Sequence, residues 1–242
     1  MTIAGGGFGP AMRDHLAMVE EANAATLDRV GNAVVDAIAS DGLVFTAGTG
    51  HSAVSVLESF YRAGGLACVY PIYHPALNPL EGAAASTRLE RSSGLAQLLV
   101  EAAGAGNGDI AFVFSNSGVN PVPVEIALHL KERGVGVAVV SSRQHMEAAP
   151  RRHEHRLDQV ADHLLDTFVP FGDSSYPLNN PATGALSSLV CLYLWNVLLA
   201  RVIELGRARR VDVPLWESAN TARGEERNRT LRNRYRTRIP TL

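Results

Sequence analysis

Lysine is nearly absent from this chain. Of its 22 basic residues only Lys131 is a lysine, and it stands at the end of a predicted helix. Schiff-base chemistry needs a desolvated lysine in a cleft, so that mechanism is argued against from the outset. Cysteine is almost as scarce. Cys68 and Cys191 lie far apart and in no metal-ligand spacing, which points away from a disulfide framework and toward a reduced, cytoplasmic setting. The two histidines of Arg151-Arg152-His153-Glu154-His155-Arg156 are interleaved with arginines that oppose a cation, so this reads as a solvated charge run and no metal is expected. No Gly-Lys-Ser/Thr sequence is present, so there is no P-loop. The start, MTIAGGGFGPAMRDHL, has no basic stretch followed by an apolar one and reads as no signal peptide. No apolar run reaches membrane length: the most apolar helix candidate, Ala185 to Ala200, contains Ser187, Ser188 and Asn196 and ends at Arg201, which suits a buried helix. A formal charge of −2 gives no electrostatic footprint for nucleic acid.

What is there is a chain of 242 residues, 46% hydrophobic, enough for one substantial α/β domain with extensions. The stretch that organises it is Ile110 to Pro121, IAFVFSNSGVNP. Its five leading apolar residues, without polar alternation, predict a strand buried on both faces, as in parallel sheets. Pro121 or Pro123 then falls in the first turn of a helix, where a missing N–H costs nothing. The hydroxyls of Ser115 and Ser117, with Asn116 between them, are thereby expected at the carboxyl end of a central strand beside a helix N-terminus. That is where open α/β sheets bind ligands and where an anion is favoured.

A second unit of the same kind precedes it. Leu43 to Thr46 predicts a short buried strand, Ala53 to Tyr61 a helix, and between them run Gly48-Thr49-Gly50-His51-Ser52. The turn superficially fits a dinucleotide fingerprint, which needs an acidic residue at the end of the next strand. That strand, Leu66 to Tyr70, leads into Pro71-Ile72-Tyr73 with no Asp or Glu, so no nucleotide cofactor is expected.

Elsewhere, residues 10–40 predict one long helix whose stripe of Leu16, Val19, Ala22, Leu27, Val30, Val34 and Ile38 is long enough to meet a second subunit as well as its own sheet. Ile72 to Glu90 lacks a sustained period and reads as a long irregular segment carrying His74, Glu81, Ser86, Arg88 and Glu90. Gly94 to Ala103 predicts a helix. Val135 to Val140 predicts a strand ending in Ser141 and Ser142, and Val160 to Asp166 the last strand. Asp173 to Thr183 reads as a second irregular loop, with Thr183 at the start of the apolar helix. The tail from Arg207 to Leu242 holds ten arginines and a weak helical pattern around Ala219 to Tyr235. Asp212, Glu217, Glu225 and Glu226 interrupt its charge, so it is expected to fold back over its own domain or a partner subunit.

Together these motifs resemble a SIS (sugar isomerase) domain, most closely the stand-alone bacterial proteins of that family. The resemblance rests on FTAGTGHSAVSVLESFYRAGGL, LEGAAAS, VFSNSGVNPVPVEIAL, VAVVSSRQH followed by PRRH, and ESAN with EERN in the tail. It implies a three-layer α/β sandwich around a five-stranded parallel sheet, flavodoxin-like in kind, that binds sugar phosphates as a homodimer. The expected division is an N-terminal helix at 1–40, the SIS domain at 41–206 and an arginine-rich extension at 207–242. It further implies that Ser115 and Ser117 hold the phosphate, helped by hydroxyls at Thr49, Ser52 and Ser141 or Ser142. The reading of the turns and the helix start adds Gly48, Gly50, Asn116 and Thr183 to the expected binding set. Glu81-Gly82-Ala83 also looks like part of the signature of N-acetylmuramic acid 6-phosphate etherases, where the matching glutamate is a base. Their other catalytic glutamate falls on Arg62 here, a departure from that pattern. Three readings stand: a phosphosugar isomerase working through an enediol, a lyase or etherase on an amino-sugar phosphate, and a module that senses a sugar phosphate without reaction. For a base near neutral pH the sequence offers Glu81 first, then Glu58, His51 and His74. Glu58 stands four residues before Arg62, the spacing of a helical ion pair.

Overall fold

The computed structural model describes residues 7–242. Met1 to Gly6, part of the stretch read as no signal peptide, lie outside the described residues. Five strands, β1 (Val44–Gly48), β2 (Val69–Ile72), β3 (Ile110–Phe114), β4 (Gly136–Ser141) and β5 (His163–Asp166), form one parallel sheet in the order β2-β1-β3-β4-β5. Every residue of β1 and β3 is buried, as a sheet covered on both faces requires. On one face pack α1 (Phe8–Ala39), α2 (Ala53–Ser59) and α8 (Ser187–Arg209). On the other lie α3 (Ala83–Glu90), α4 (Leu95–Ala103), α5 (Pro121–Glu132) and the single turn α7 (Leu157–Val160). The expected three-layer α/β sandwich is the architecture found.

Helix α8 is long and apolar enough by length and composition to cross a membrane, but it serves the core. Val190, Cys191, Leu194, Trp195, Leu198 and Val202 are all buried. Trp195 meets Phe112 and Phe114 edge-on, with ring centroids 5.2 and 6.1 Å apart, because those two residues project from the same face of β3. The apolar stripe of α1 is likewise taken up inside the chain. Val19, Leu27, Val30, Val34 and Ile38 are buried against α8 and the sheet, whereas Leu16 is half-buried and Ala22 exposed, so most of the stripe is spent within the chain.

Several boundaries move, each for a local reason. The expected strand from Leu66 begins only at Val69, because residues 64–67 pair instead with the tail. Gly64 N–H donates to the Trp216 carbonyl (2.8 Å), Ala67 N–H to that of Pro214 (2.7 Å), and Leu66 forms an antiparallel bridge with Leu215. The segment to Glu90 is not irregular throughout: after two single 3-10 turns, Pro75–Leu77 and Pro79–Glu81, the chain enters α3 at Ala83, where three alanines carry high helix propensity. A short helix α6 (Arg143–Ala148), which the sequence reading lacks, starts where the Ser142 hydroxyl accepts the His145 N–H. Beyond α8, the helix α9 (Ala222–Tyr235) begins with Thr221 accepting the Gly224 N–H and buries Leu231 and Tyr235, so the arginine-rich tail wraps its own chain.

Asp109 ties this wrap to the amino end of the sheet. Only 8% exposed, it accepts the Leu43 N–H (2.7 Å) and the Arg238 guanidinium (3.1 Å) on Oδ1 and the Gly106 N–H (3.0 Å) on Oδ2. Each stranded amide costs about 1–3 kcal/mol, so Asp109→Ala is expected to destabilise by about 2–4 kcal/mol. Arg238→Ala, which removes a half-exposed partner, should cost about 1 kcal/mol or less. Equal losses in urea unfolding of the two variants would show that the amides do not matter.

Candidate functional site

The strand order switches direction between β1 and β3, and there the chains leaving the two strands part. Their register is level, Gly48 beside Phe114, so Thr49 and Ser115 start their loops side by side. A crevice outside strand carboxyl ends at such a switch is where open α/β sheets take ligands. Here it is a cleft of about 370 Å³. Thr49, Gly50, His51 and Ser52 come from the β1 loop, and Ser115, Asn116 and Ser117 from the β3 loop. Ser86, Thr87 and Glu90 come from α3, His145 from α6, Asp173 from the loop after β5 and Ser187 from the start of α8. Two glycines allow the loops to approach. A Cβ on Gly48 would stand 2.6 Å from the Ser52 carbonyl, and Gly118, at φ 59°, would put one 2.3 Å from the Met146 sulfur.

The β3 loop is rich in unspent donors. Ser115 Oγ accepts the Gly118 N–H (3.2 Å), which leaves its own proton to give. Among the described residues neither the Ser117 hydroxyl nor the backbone N–H groups of Asn116 and Ser117 have a hydrogen-bond partner. Facing them is one partly buried carboxylate held in place. Glu90 Oε1 accepts from Thr49 Oγ1 (2.9 Å) and from Asn120 Nδ2 (2.7 Å), and Asn120 Oδ1 accepts from Arg152 (2.9 Å). Both bonds fall on one oxygen, leaving Oε2 beside Gly50. On the opposite wall Asn116 Nδ2 donates to His145 Nδ1 (3.0 Å), which assigns the ring proton to Nε2, and the ring packs on Phe171 with centroids 5.1 Å apart. Burial lowers the His145 pKa below its ordinary 6.5, against smaller opposing effects of Asp173 and the Pro170 carbonyl. Asp173 accepts the Leu186 and Ser187 N–H groups and the Ser187 hydroxyl, so the start of α8 already holds an anion.

A model of the SIS domain matches residues 7–142. The chain belongs to the SIS domain family. A UPF0309 protein of Geobacillus kaustophilus is 33% identical over 235 residues, spanning 96% of this chain and 94% of its own. A UPF0309 protein of Brucella anthropi is 36% identical over 213 residues, 86% of each chain. Among solved structures, the phosphoheptose isomerase of Neisseria gonorrhoeae superposes with a TM-score of 0.53 at 15% identity, over 81% of this chain and 94% of that one. The phosphoheptose isomerase of Francisella tularensis gives 0.52 at 14%, over 81% and 95%. At such identity the likeness is one of fold.

Within this SIS domain, Thr49, Gly50, Ser52, Ser115, Asn116 and Ser117 come together as the motifs suggested, and His51 joins them on an exposed edge. Others of the expected set do not reach the cleft. Ser141 and Ser142 are wholly buried: one donates to the Asn116 carbonyl (3.3 Å), the other to that of Val169 (2.6 Å). Thr183 is not at a helix start. Its backbone pairs with Tyr176, and α8 begins four residues later. Glu58 is bound by Arg62 and Asn196 on the outer side of α2, as the ion-pair spacing suggested. His74 spends Nδ1 capping a 3-10 turn at Ala76. Glu81, expected among small apolar neighbours, is exposed at the end of the turn Pro79–Glu81, outside the cleft wall. Burial raises both cysteine thiols to about 12, so neither offers a thiolate. The residues that sequence reading passed over are Glu90, Asn120, His145 and Arg152. A signal for Glu90 was present: Ala83, Ser86, Thr87 and Glu90 share one face of a helix, but prolines just upstream obscured its period.

Because the folded His145 binds its proton less readily than an unfolded histidine, acid favours the unfolded chain. Its contribution is constant above about pH 6.5 and is lost as the pH falls from there toward the lower folded value. An NMR titration should place His145 below 6.5, and His145→Gln should flatten part of the acid loss of stability. A midpoint at or above 6.5 would refute the assignment.

Proposed function

We propose that this SIS domain binds a sugar phosphate between β1 and β3 and interconverts its aldose and ketose forms through an enediol. One observation carries the reading: neutral donors of the β3 loop share a cleft with the Glu90 carboxylate, which is fixed through one oxygen and has the other free. In this account the phosphate takes the hydroxyls of Ser115 and Ser117 and the free amides between them, beside the amino end of α5. The sugar then extends past Gly50 toward Glu90. Its Oε2 accepts the proton from the carbon next to the carbonyl and returns it to the neighbouring carbon. The hydroxyl proton crosses to the former carbonyl oxygen, with His145 as hydrogen-bonding partner of those oxygens. The phosphoheptose isomerases that share this fold are, by name, enzymes of this reaction class. Glu90 replaces Glu81 as the base because it is the carboxylate that faces the cradle with one oxygen free.

The experiment is a thermal-shift and calorimetric screen of the purified protein against aldose and ketose phosphates, followed by turnover of each ligand found. Charge-assisted hydrogen bonds are worth about 1.5–3 kcal/mol, so Ser117→Ala should weaken binding about tenfold or more. Glu90→Gln keeps the acceptor for Thr49 and Asn120, so it should retain binding while turnover falls by roughly 10² to 10⁴. Binding without turnover of any isomeric pair would move the protein to a sensing role. Full activity of Glu90→Gln would remove it as the base.

A further inference from the structure

Across the β1 loop the polar cleft borders a second cavity. Gly50, His51 and Pro79 form the far wall of the cleft and are at the same time the near wall of that cavity, of about 500 Å³. That second cavity is of different chemistry. Val54 and Leu57 of α2 and Phe60 just after it line one side, and Pro71, Tyr73 and Leu80 the other. Among the described residues no Asp, Glu, Lys or Arg lines it: Glu58 of α2 and Arg62 beyond the helix end pair with each other. Its few polar atoms are partly paired among themselves, since Asn78 Nδ2 donates to the Tyr73 hydroxyl (3.1 Å). Leu57 and Leu80, 74% and 91% exposed, make an open lip, so a chain too long for the cavity can run out to solvent. Small-molecule pockets of roughly 300–1,000 Å³ are lined in this way, apolar with a few placed polar groups.

From this adjacency we infer that the ligand is a sugar phosphate carrying an apolar substituent, such as an acyl chain on an amino sugar, that passes over Gly50 and His51 and lies along α2. The inference rests on the sugar-phosphate reading of the β1–β3 cleft. The phosphate and the apolar group then occupy opposite ends of one crevice, with the sugar ring crossing at Gly50 and His51. A carboxylate-bearing substituent would meet no arginine or lysine among the described lining residues of the second cavity and would lose much of its hydration there. Each methylene buried should strengthen binding about threefold to fourfold.

The test is calorimetry of the full chain with glucosamine 6-phosphate acylated on nitrogen by chains from acetyl to octanoyl. Affinity should climb along the series and then level off as the chain passes the lip. Leu57→Asp should flatten the climb, and Ser117→Ala should lower every member alike. A flat series in the parent protein, with the acetyl form still bound and still sensitive to Ser117→Ala, would overturn the apolar subsite and leave the phosphate site standing. Binding of no member would overturn both. Light scattering run beside it covers the other occupant: if Leu57→Asp turns a dimer into a monomer while the parent series is flat, this face belongs to a second copy of the chain and the inference falls.

Discussion

A parallel sheet covered on both faces leaves little room for free polar side chains except at the ends of its strands, and the site of this protein follows from that constraint. β1 and β3 bury every residue, and the one hydroxyl inside them, Thr46, is taken up by Ser59, so the first free-standing loop hydroxyls, Thr49 and Ser115, come where the backbone leaves the sheet. Level pairing of the two strands brings these hydroxyls to the same height. The switch in strand order then opens space between the loops, because the helix after β1 goes to one face and the helix after β3 to the other. A one-residue change of register on either strand would turn its core side chains over and would move one loop out of level with the other.

The carboxylate in this crevice is placed by long-range contacts. Glu90 ends α3, a helix that belongs to neither flanking strand, and its direction is set by Thr49 from the β1 loop and Asn120 from the start of α5. Asn120 stands where an asparagine commonly caps a helix, yet its side chain makes no cap bond to α5. It holds Glu90 and Arg152 instead. The first turn of α5 tolerates that loss because Pro121 and Pro123 have no N–H to be capped. Two prolines thus release an asparagine from a structural task to position the carboxylate.

The strands, the two loop motifs and the long outer helices were legible because each is a local pattern: an uninterrupted apolar run, a Ser/Gly turn, a 3.6-residue stripe. The same locality explains the misses. Ser141 and Ser142 obey the rule that hydroxyls follow a strand, but β4 lies one strand away from the switch and its end is covered by α6 and the Val169 segment. Glu81 has the small neighbours in sequence that an apolar pocket would supply, yet a 3-10 turn carries it to the surface. Glu90 and His145 have undistinguished neighbours in sequence, and their place in the crevice depends on how α3 and α6 pack. Sequence separations of 41 residues for Thr49 with Glu90 and 29 for Asn116 with His145 measure what single-chain pattern reading cannot reach.

Two helix starts border the crevice, and their difference gives it a direction. At α8 the Asp173 carboxylate occupies the first amides and the Ser187 hydroxyl, so that end already carries a negative charge and would repel a second. At α5 the prolines leave the first turn poor in N–H groups, and the one carboxylate near it, Glu90, is held on the Asn120 side chain and not on the helix amides. The backbone N–H groups of Asn116 and Ser117 and two serine hydroxyls stand just before that helix, on the loop that borders the cleft. In the proposed reading an anionic ligand group is therefore directed to the β3 side, toward the free donors and away from Asp173. The rest of such a ligand would have the remaining length of the crevice, past Gly50, in which to lie, and Glu90 borders that length from the α3 side.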